Sequence, residues 1–181
     1  MTAALIVIDV QQGFSDSAYW GPRNNPDFEA NLERLLDAWT GPVVVVRHDS
    51  TSPGSPLRTG QPGNDLAPAV AAVEPALLVS KSVNSAFYGE PDLQAWLQGA
   101  EVDELVICGI QTNMCVETTA RMAGNLGYDV TVPIDATRTF DLEGSDGTVL
   151  SADELARATA VNLSGGGFAR VVTTAELLGS H

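Results

Sequence analysis

The chain has 181 residues, 44% of them hydrophobic and 18% charged. That length and composition exclude a disordered chain and suit one domain, residues 1–181, with a core that needs no metal or disulfide staple. Nine basic residues against 23 acidic ones give a net charge of −14, which argues against nucleic acid and anionic membranes as partners.

Ala4–Ile8 is a continuous apolar run rich in branched residues, as expected of a strand buried on both faces. Phe28, Leu32, Leu35, Leu36 and Trp39 then recur at helical spacing, with Pro26 before them and Gly41-Pro42 after. Val43–Val46 predicts a second strand. Residues 49–64, rich in Ser, Pro and Gly, predict a long loop. Leu77–Val79 predicts a third strand, and Pro91 opens a short helix carrying Leu93, Trp96 and Leu97. Leu105–Cys108 predicts a fourth strand. The helix after it shows a small-residue face of Val116, Ala120, Ala123 and Gly127, with Thr112 as its N-cap. Weaker runs at Val130–Ile134 and Arg170–Val172 bring the strands to six. Between them lie an Asp- and Gly-rich irregular stretch, Arg138 to Leu150, and a capping-box pattern, Ser151-Ala152-Asp153-Glu154. Gly165–Gly167 follows a helix and precedes a strand, so it reads as a turn and not as a phosphate loop. Strands alternating with helices predict an α/β fold, a parallel sheet with helices on both faces.

Ligands of such sheets bind beyond the carboxyl ends of the strands. Asp9, His48 and Lys81 end the first three strands, and Cys115 follows the fourth. As the third residue of a helix capped by Thr112, Cys115 is expected to have a lowered pKa and to serve as a nucleophile; its alternative is a small buried hydrophobe. Cys108, mid-strand among apolar neighbours, fits that alternative better. Asp9 reads as a general base with a raised pKa or as a capping carboxylate. Lys81 reads as a cation for the pair or as a lysine reaching solvent. Together the three supply a nucleophile, a base and a cation at one sheet edge. Histidine is scarce, His48 and His181 alone, so no zinc set of neighbouring histidines can be built. His48 reads as a substrate contact or as loop structure. Two cysteines are too few for a disulfide scaffold. They suit a reducing compartment, and the absence of a charged leader or a long apolar run predicts a soluble, cytoplasmic protein.

Three segments resemble the isochorismatase-like cysteine hydrolases. Asp9-Val10-Gln11-Gln12-Gly13-Phe14 matches the D-x-Q-x-x-F opening of that family. Lys81–Gly89 resembles its lysine loop, and Gly109–Val116 its G-x-x-T-x-x-C-V nucleophile segment. The resemblance runs in order from about residue 3 to residue 173. It implies a Rossmann-like three-layer sandwich with six parallel strands in the order 3-2-1-4-5-6. It also implies a triad of Asp9 as base, Lys81 as cation and Cys115 as nucleophile. A cis peptide is implied at Ile110–Gln111, where the Gln111 and Cys115 N–H groups would form an oxyanion hole.

Departures from the family sharpen the expectation. The family's nicotinamidases carry a metal-binding D-x-H-x-x-H stretch after strand two, where this chain has His48-Asp49-Ser50-Thr51-Ser52-Pro53. No metal or other cofactor is therefore expected. Strict isochorismatases usually lack the cysteine, so Cys115 favours hydrolysis of an amide or ureide of a small molecule. Cleavage of isochorismate with Asp9 as acid, and a non-catalytic binding protein, are the alternatives. Phe14, Trp20, His48, Tyr88 and Phe140 are expected around the substrate. A homodimer or larger homo-oligomer is expected too, because Trp20 and the Arg138–Leu150 stretch hold apolar groups with no obvious partner inside one domain.

Overall fold

The computed structural model describes residues 2–179. Six strands, β1 (Thr2–Ile8), β2 (Val43–His48), β3 (Leu77–Lys81), β4 (Val102–Ile110), β5 (Asp129–Pro133) and β6 (Arg170–Val172), lie parallel in the order β3-β2-β1-β4-β5-β6. A two-residue piece, Thr137–Arg138, adds a seventh strand, paired against Gly109 and Ile110 of β4. The principal helices are α1 (Phe28–Ala38), α2 (Leu93–Gly99), α3 (Glu117–Asn125), α4 (Ala152–Gly165) and α5 (Thr174–Leu178).

Alternation along the strands explains the layers. Ala4, Ile6 and Ile8 of β1 point into a core shared with Leu93 and Leu97 of α2, Ala120 and Ala123 of α3, and Leu163 of α4. Leu5 and Val7 point the other way, into a core with Phe28, Leu32 and Leu35 of α1 and Leu177 of α5. Both faces are dry, which is why the strands read as unbroken apolar runs. At the carboxyl end β1 and β4 approach closely. Gly109 has φ +121°, and a Cβ there would stand 2.0 Å from the Ile8 carbonyl oxygen. Only glycine lets β4 run beside the end of β1 at that point.

Four local expectations are corrected. Thr112 is no N-cap; its hydroxyl is buried and donates to Thr137 Oγ1 at 2.8 Å. Pro91 precedes α2, which is capped by Asp92 through the Ala95 N–H. Gly127 lies beyond the end of α3. The stretch Arg138 to Leu150 is not wholly irregular, since Leu142–Glu143 and Val149–Leu150 pair as an antiparallel hairpin. The capping box at Ser151 and Glu154 is formed. A second one, Thr173 with Glu176, opens the unforeseen α5, although its T-x-x-E spacing was there to be read. No helix among the described residues is long and apolar enough to cross a membrane.

Candidate active site

The four strand ends that meet at this edge belong to adjacent strands, so their side chains converge. Asp9 follows β1 with φ +52°, a left-handed conformation that aspartate tolerates better than most residues. Its N–H still donates to Val46 O at 2.9 Å, which ties the turn to β2. Lys81, the last residue of β3, is fully buried along its side chain. Its Nζ lies 2.6 Å from Asp9 Oδ2, 3.3 Å from Cys115 Sγ and 3.2 Å from His48 Nδ1. An ammonium has three protons, and these contacts engage all of them. Since it can only donate, His48 Nδ1 must present its lone pair and the ring proton sits on Nε2. Burial, helped by the Lys81 charge, pushes His48 down to about 4, so the imidazole is neutral at pH 7.

His48 is also fixed through its main chain. Gln11 accepts the His48 N–H at 2.9 Å and donates back to the His48 carbonyl at 3.0 Å. Asn64 donates to the same carbonyl at 3.1 Å and to Leu57 O at 2.9 Å, tying the 49–64 loop to the strand end. Gln11 belongs to the D-x-Q motif, but its role as a clamp on β2 is visible only in three dimensions.

Cys115 sits in a wide π-type turn, Thr112–Val116, that leads into α3. The N–H groups of Met114 and Val116 both reach Gln111 O at 3.1 Å. Such turns hold an extra residue and recur at functional sites. The expected lowering of the Cys115 pKa is corrected. Burial, reinforced by the Asp9 charge, pushes the thiol up to about 12, and Lys81 offsets this only in part. Position at a helix start is thus outweighed by loss of solvent. Burial also raises Asp9 above the ordinary carboxylate value, against the pull of Lys81. Asp9 Oδ1 accepts no hydrogen bond, an unusual state for a buried carboxylate oxygen. Asp9, His48 and Cys115 offer ligand-type atoms within 4.8 Å of one another. The Lys81 ammonium touches all three residues and stands where a cation would. With that ammonium in place the group does not fit a metal ion. The Ile110–Gln111 peptide is cis.

A cavity of about 510 Å³ opens over these residues. Asp9, His48, Gln111 and Cys115 line it, and Phe14, Trp20 and Phe140 form its apolar wall. Trp20 packs on both phenylalanines, tilted against Phe14 with ring centroids 4.7 Å apart and stacked on Phe140 at 5.3 Å. Trp20 therefore has its partners inside the domain, contrary to expectation. Leu142, Val149 and Leu150 of the hairpin are exposed. Tyr88 is not in the wall: the tight 3-10 turn Ala86–Tyr88 buries Ala86 and leaves Tyr88 72% exposed. Asn84 of the lysine loop takes that place, with Oδ1 3.9 Å from Cys115 Sγ. Asp141 and Leu142, just after Phe140, also reach the cavity and were not foreseen. A second cavity, about 420 Å³, lies across Phe14 beside Arg138 and Glu29 and contains none of Asp9, Lys81 and Cys115.

A parallel sheet that gathers an acid, a cation and a thiol at its carboxyl edge is the arrangement of a hydrolase. The Isochorismatase domain family matches residues 3–176, and the chain belongs to that family. It is 34% identical over 178 residues to the isochorismatase family protein YrdC of Bacillus subtilis, covering 97% of this chain and 94% of that one. It is 34% identical to a streptothricin hydrolase of Streptomyces noursei, over 77% of this chain but only 50% of the relative. Nicotinamidase 3 of Arabidopsis thaliana is 32% identical, with 82% and 79% covered. Among solved structures, a hydrolase of the isochorismatase family from Chromobacterium violaceum superposes with a TM-score of 0.90 at 39% identity, covering 99% of this chain and 93% of that chain.

Proposed function

We propose that this isochorismatase-family hydrolase cleaves a C–N bond of amide or ureide type in a small molecule, through a thioester on Cys115 and without a metal. The observation that carries the reading is the Lys81 ammonium bridging Asp9 and Cys115 beneath an open cavity, with Asp9 Oδ1 left unbonded. The streptothricin hydrolase and nicotinamidase relatives support amide chemistry.

In the resting site the thiol keeps its proton and Asp9 is the carboxylate. Asp9 takes the thiol proton as the sulfur bonds to the carbonyl carbon, so no free thiolate has to persist in a dry site. The backbone N–H groups of Gln111 and Cys115 receive the oxyanion. The C–N bond then breaks, and the protonated Asp9 gives its proton to the departing nitrogen. Water adds to the thioester, with Asp9 accepting its proton. The S–C bond breaks, the sulfur regains that proton, and the acid leaves. Lys81 holds the carboxylate and the sulfur in place while charge moves between them.

The test is intact-mass analysis during turnover of an amide library, with Cys115→Ser in parallel. The expected result is an acyl adduct mapped to Cys115 and released as a hydroxamate by hydroxylamine. Turnover with no such adduct, or turnover lost to EDTA and restored by zinc, would overturn the reading. Pyruvate release from isochorismate by Cys115→Ala would favour the vinyl-ether alternative instead.

A further inference from the structure

The cavity above Cys115 is unbalanced in charge. No lysine or arginine is among its described lining residues. The nearest ammonium, Lys81, has all three protons committed to Asp9, His48 and Cys115. Arg47 is paired with Asp49, and Arg138 with Glu29 on the far side of Phe14. A substrate carboxylate would find no free cation there. The opposite holds for a positive group. Asp141 lines the cavity and, among the described residues, forms no ion pair. Its Oδ1 accepts the Ala152 N–H at 2.8 Å, which anchors the carboxylate at the start of α4. Tyr19 and Trp20 line the same cavity, edge to face with centroids 4.8 Å apart. Aromatic faces attract cations, and a neighbouring carboxylate strengthens the attraction. The chain's net charge of −14 adds a field of the same sign.

We infer that the substrate is a cationic amide: its carbonyl meets Cys115, and a protonated amine at its other end is received by Asp141 beside Tyr19 and Trp20. The inference rests on the hydrolytic reading for the position of the carbonyl, and on the charge of the cavity for the rest. Asp141 and the two rings set specificity and take no part in bond breaking.

Equilibrium binding to Cys115→Ala, which does not turn ligand over, tests it apart from catalysis. Three amides of one chain length serve as probes: 6-aminohexanamide, hexanamide and the monoamide of adipic acid. Calorimetry should show 6-aminohexanamide binding about tenfold more tightly than hexanamide, and the adipic monoamide more weakly than both. Added salt should shrink the advantage. Adding Asp141→Asn should bring the ratio of the first two below about twofold, because asparagine keeps the acceptor for Ala152 but not the charge. Equal binding of the charged and neutral amides, no binding of 6-aminohexanamide, or a ratio that survives Asp141→Asn would overturn the inference. Failure of the Cys115 adduct experiment with this ratio intact would instead remove only the catalytic reading.

Discussion

Cys108 and Cys115 are both buried, and burial lifts both thiols to about 12. They nevertheless belong to different worlds. Cys108 lies within β4 on the α1 face, among Leu5, Val7, Val106 and Ile110, and nothing but loss of solvent acts on its ionisation. Cys115 lies past the end of β4, on the α3 side, where Asp9 and Lys81 act on it as well and a cavity opens above it. Two thiols with the same resting acidity thus differ in whether a proton acceptor is within reach. In the proposed mechanism nucleophilicity comes from Asp9 standing ready to take the proton during attack, not from a thiolate stored at rest.

The largest expected effect separates the two directly. Cys115→Ala should lower kcat/KM by about 10⁴-fold or more, while Cys108→Ala should leave it within about twofold. Steady-state assays on whichever amide the library yields will decide. More than about a hundredth of wild-type activity in Cys115→Ala would remove the nucleophile assignment.

Next in size is the loss of the cation that makes the Cys115 region different. Lys81→Ala should lower the plateau of kcat/KM by about 10²-fold or more, with Lys81→Arg recovering part of it. The pH profile carries the sharper signal. In the proposed mechanism the working base is the Asp9 carboxylate, so activity should be lost as pH falls through its raised pKa. The thiol, near 12, places any alkaline limb far from neutrality. Without Lys81, Asp9 loses its main stabilising charge and its pKa rises further, so the acidic limb should move to higher pH. Unchanged limbs and plateau would make Lys81 a bystander.

The same contrast shows what a one-dimensional reading could reach. The apolar runs of β1 and β4 and the polar residues at their ends were legible, because a strand buried on both faces leaves no other place for chemistry. Asp9, Lys81, His48 and Cys115 come together for that reason. The direction of the Cys115 pKa was not legible: a local argument sees a helix start, whereas burial depends on the whole fold. Tyr88 was misplaced because the 3-10 turn Ala86–Tyr88 turns its side chain outward, leaving Asn84 as the lysine-loop residue at the cavity. Asp141 was missed because the loop after Phe140 has no periodicity that would show which side chain enters the cavity.

A smaller effect tests the neutral His48 that Lys81 demands. In the folded protein His48 titrates near 4, against an ordinary value of 6.5. Between those values the unfolded chain binds a proton that the native site refuses. Stability present above pH 6.5 is therefore lost as pH falls towards 4. The imidazole is half-buried, so the loss is discounted for solvent screening to about 1–2 kcal/mol. Urea midpoints at pH 7 and pH 4.5 should fall further apart in wild type than in His48→Gln. The raised Asp9 acts with the opposite sign in both proteins, and so the difference between them isolates His48. Equal pH dependence would mean that His48 carries its proton in the native state.

The smallest effect reverses the ranking of the two cysteines. Cys108 is fully buried and paired in register with Val7 of β1, so its sulfur fills space that no solvent can reach. Cys108→Ala leaves a dry gap about the size of one methylene and should cost about 1 kcal/mol in urea unfolding. Cys108→Ser would add an unpartnered buried hydroxyl, at a further ~1–3 kcal/mol. Cys115 faces an opening of about 510 Å³, so truncating it enlarges a space that already exists. Asp9 and Lys81 keep each other as partners after that truncation. Cys115→Ala should therefore change stability by less than about 0.5 kcal/mol while removing activity. A thiol whose loss destroys turnover and spares the fold faces a cavity, and one whose loss does the reverse fills a core. If Cys115→Ala proved the more destabilising of the two, Cys115 would be a packing residue and the distinction between the two regions would collapse.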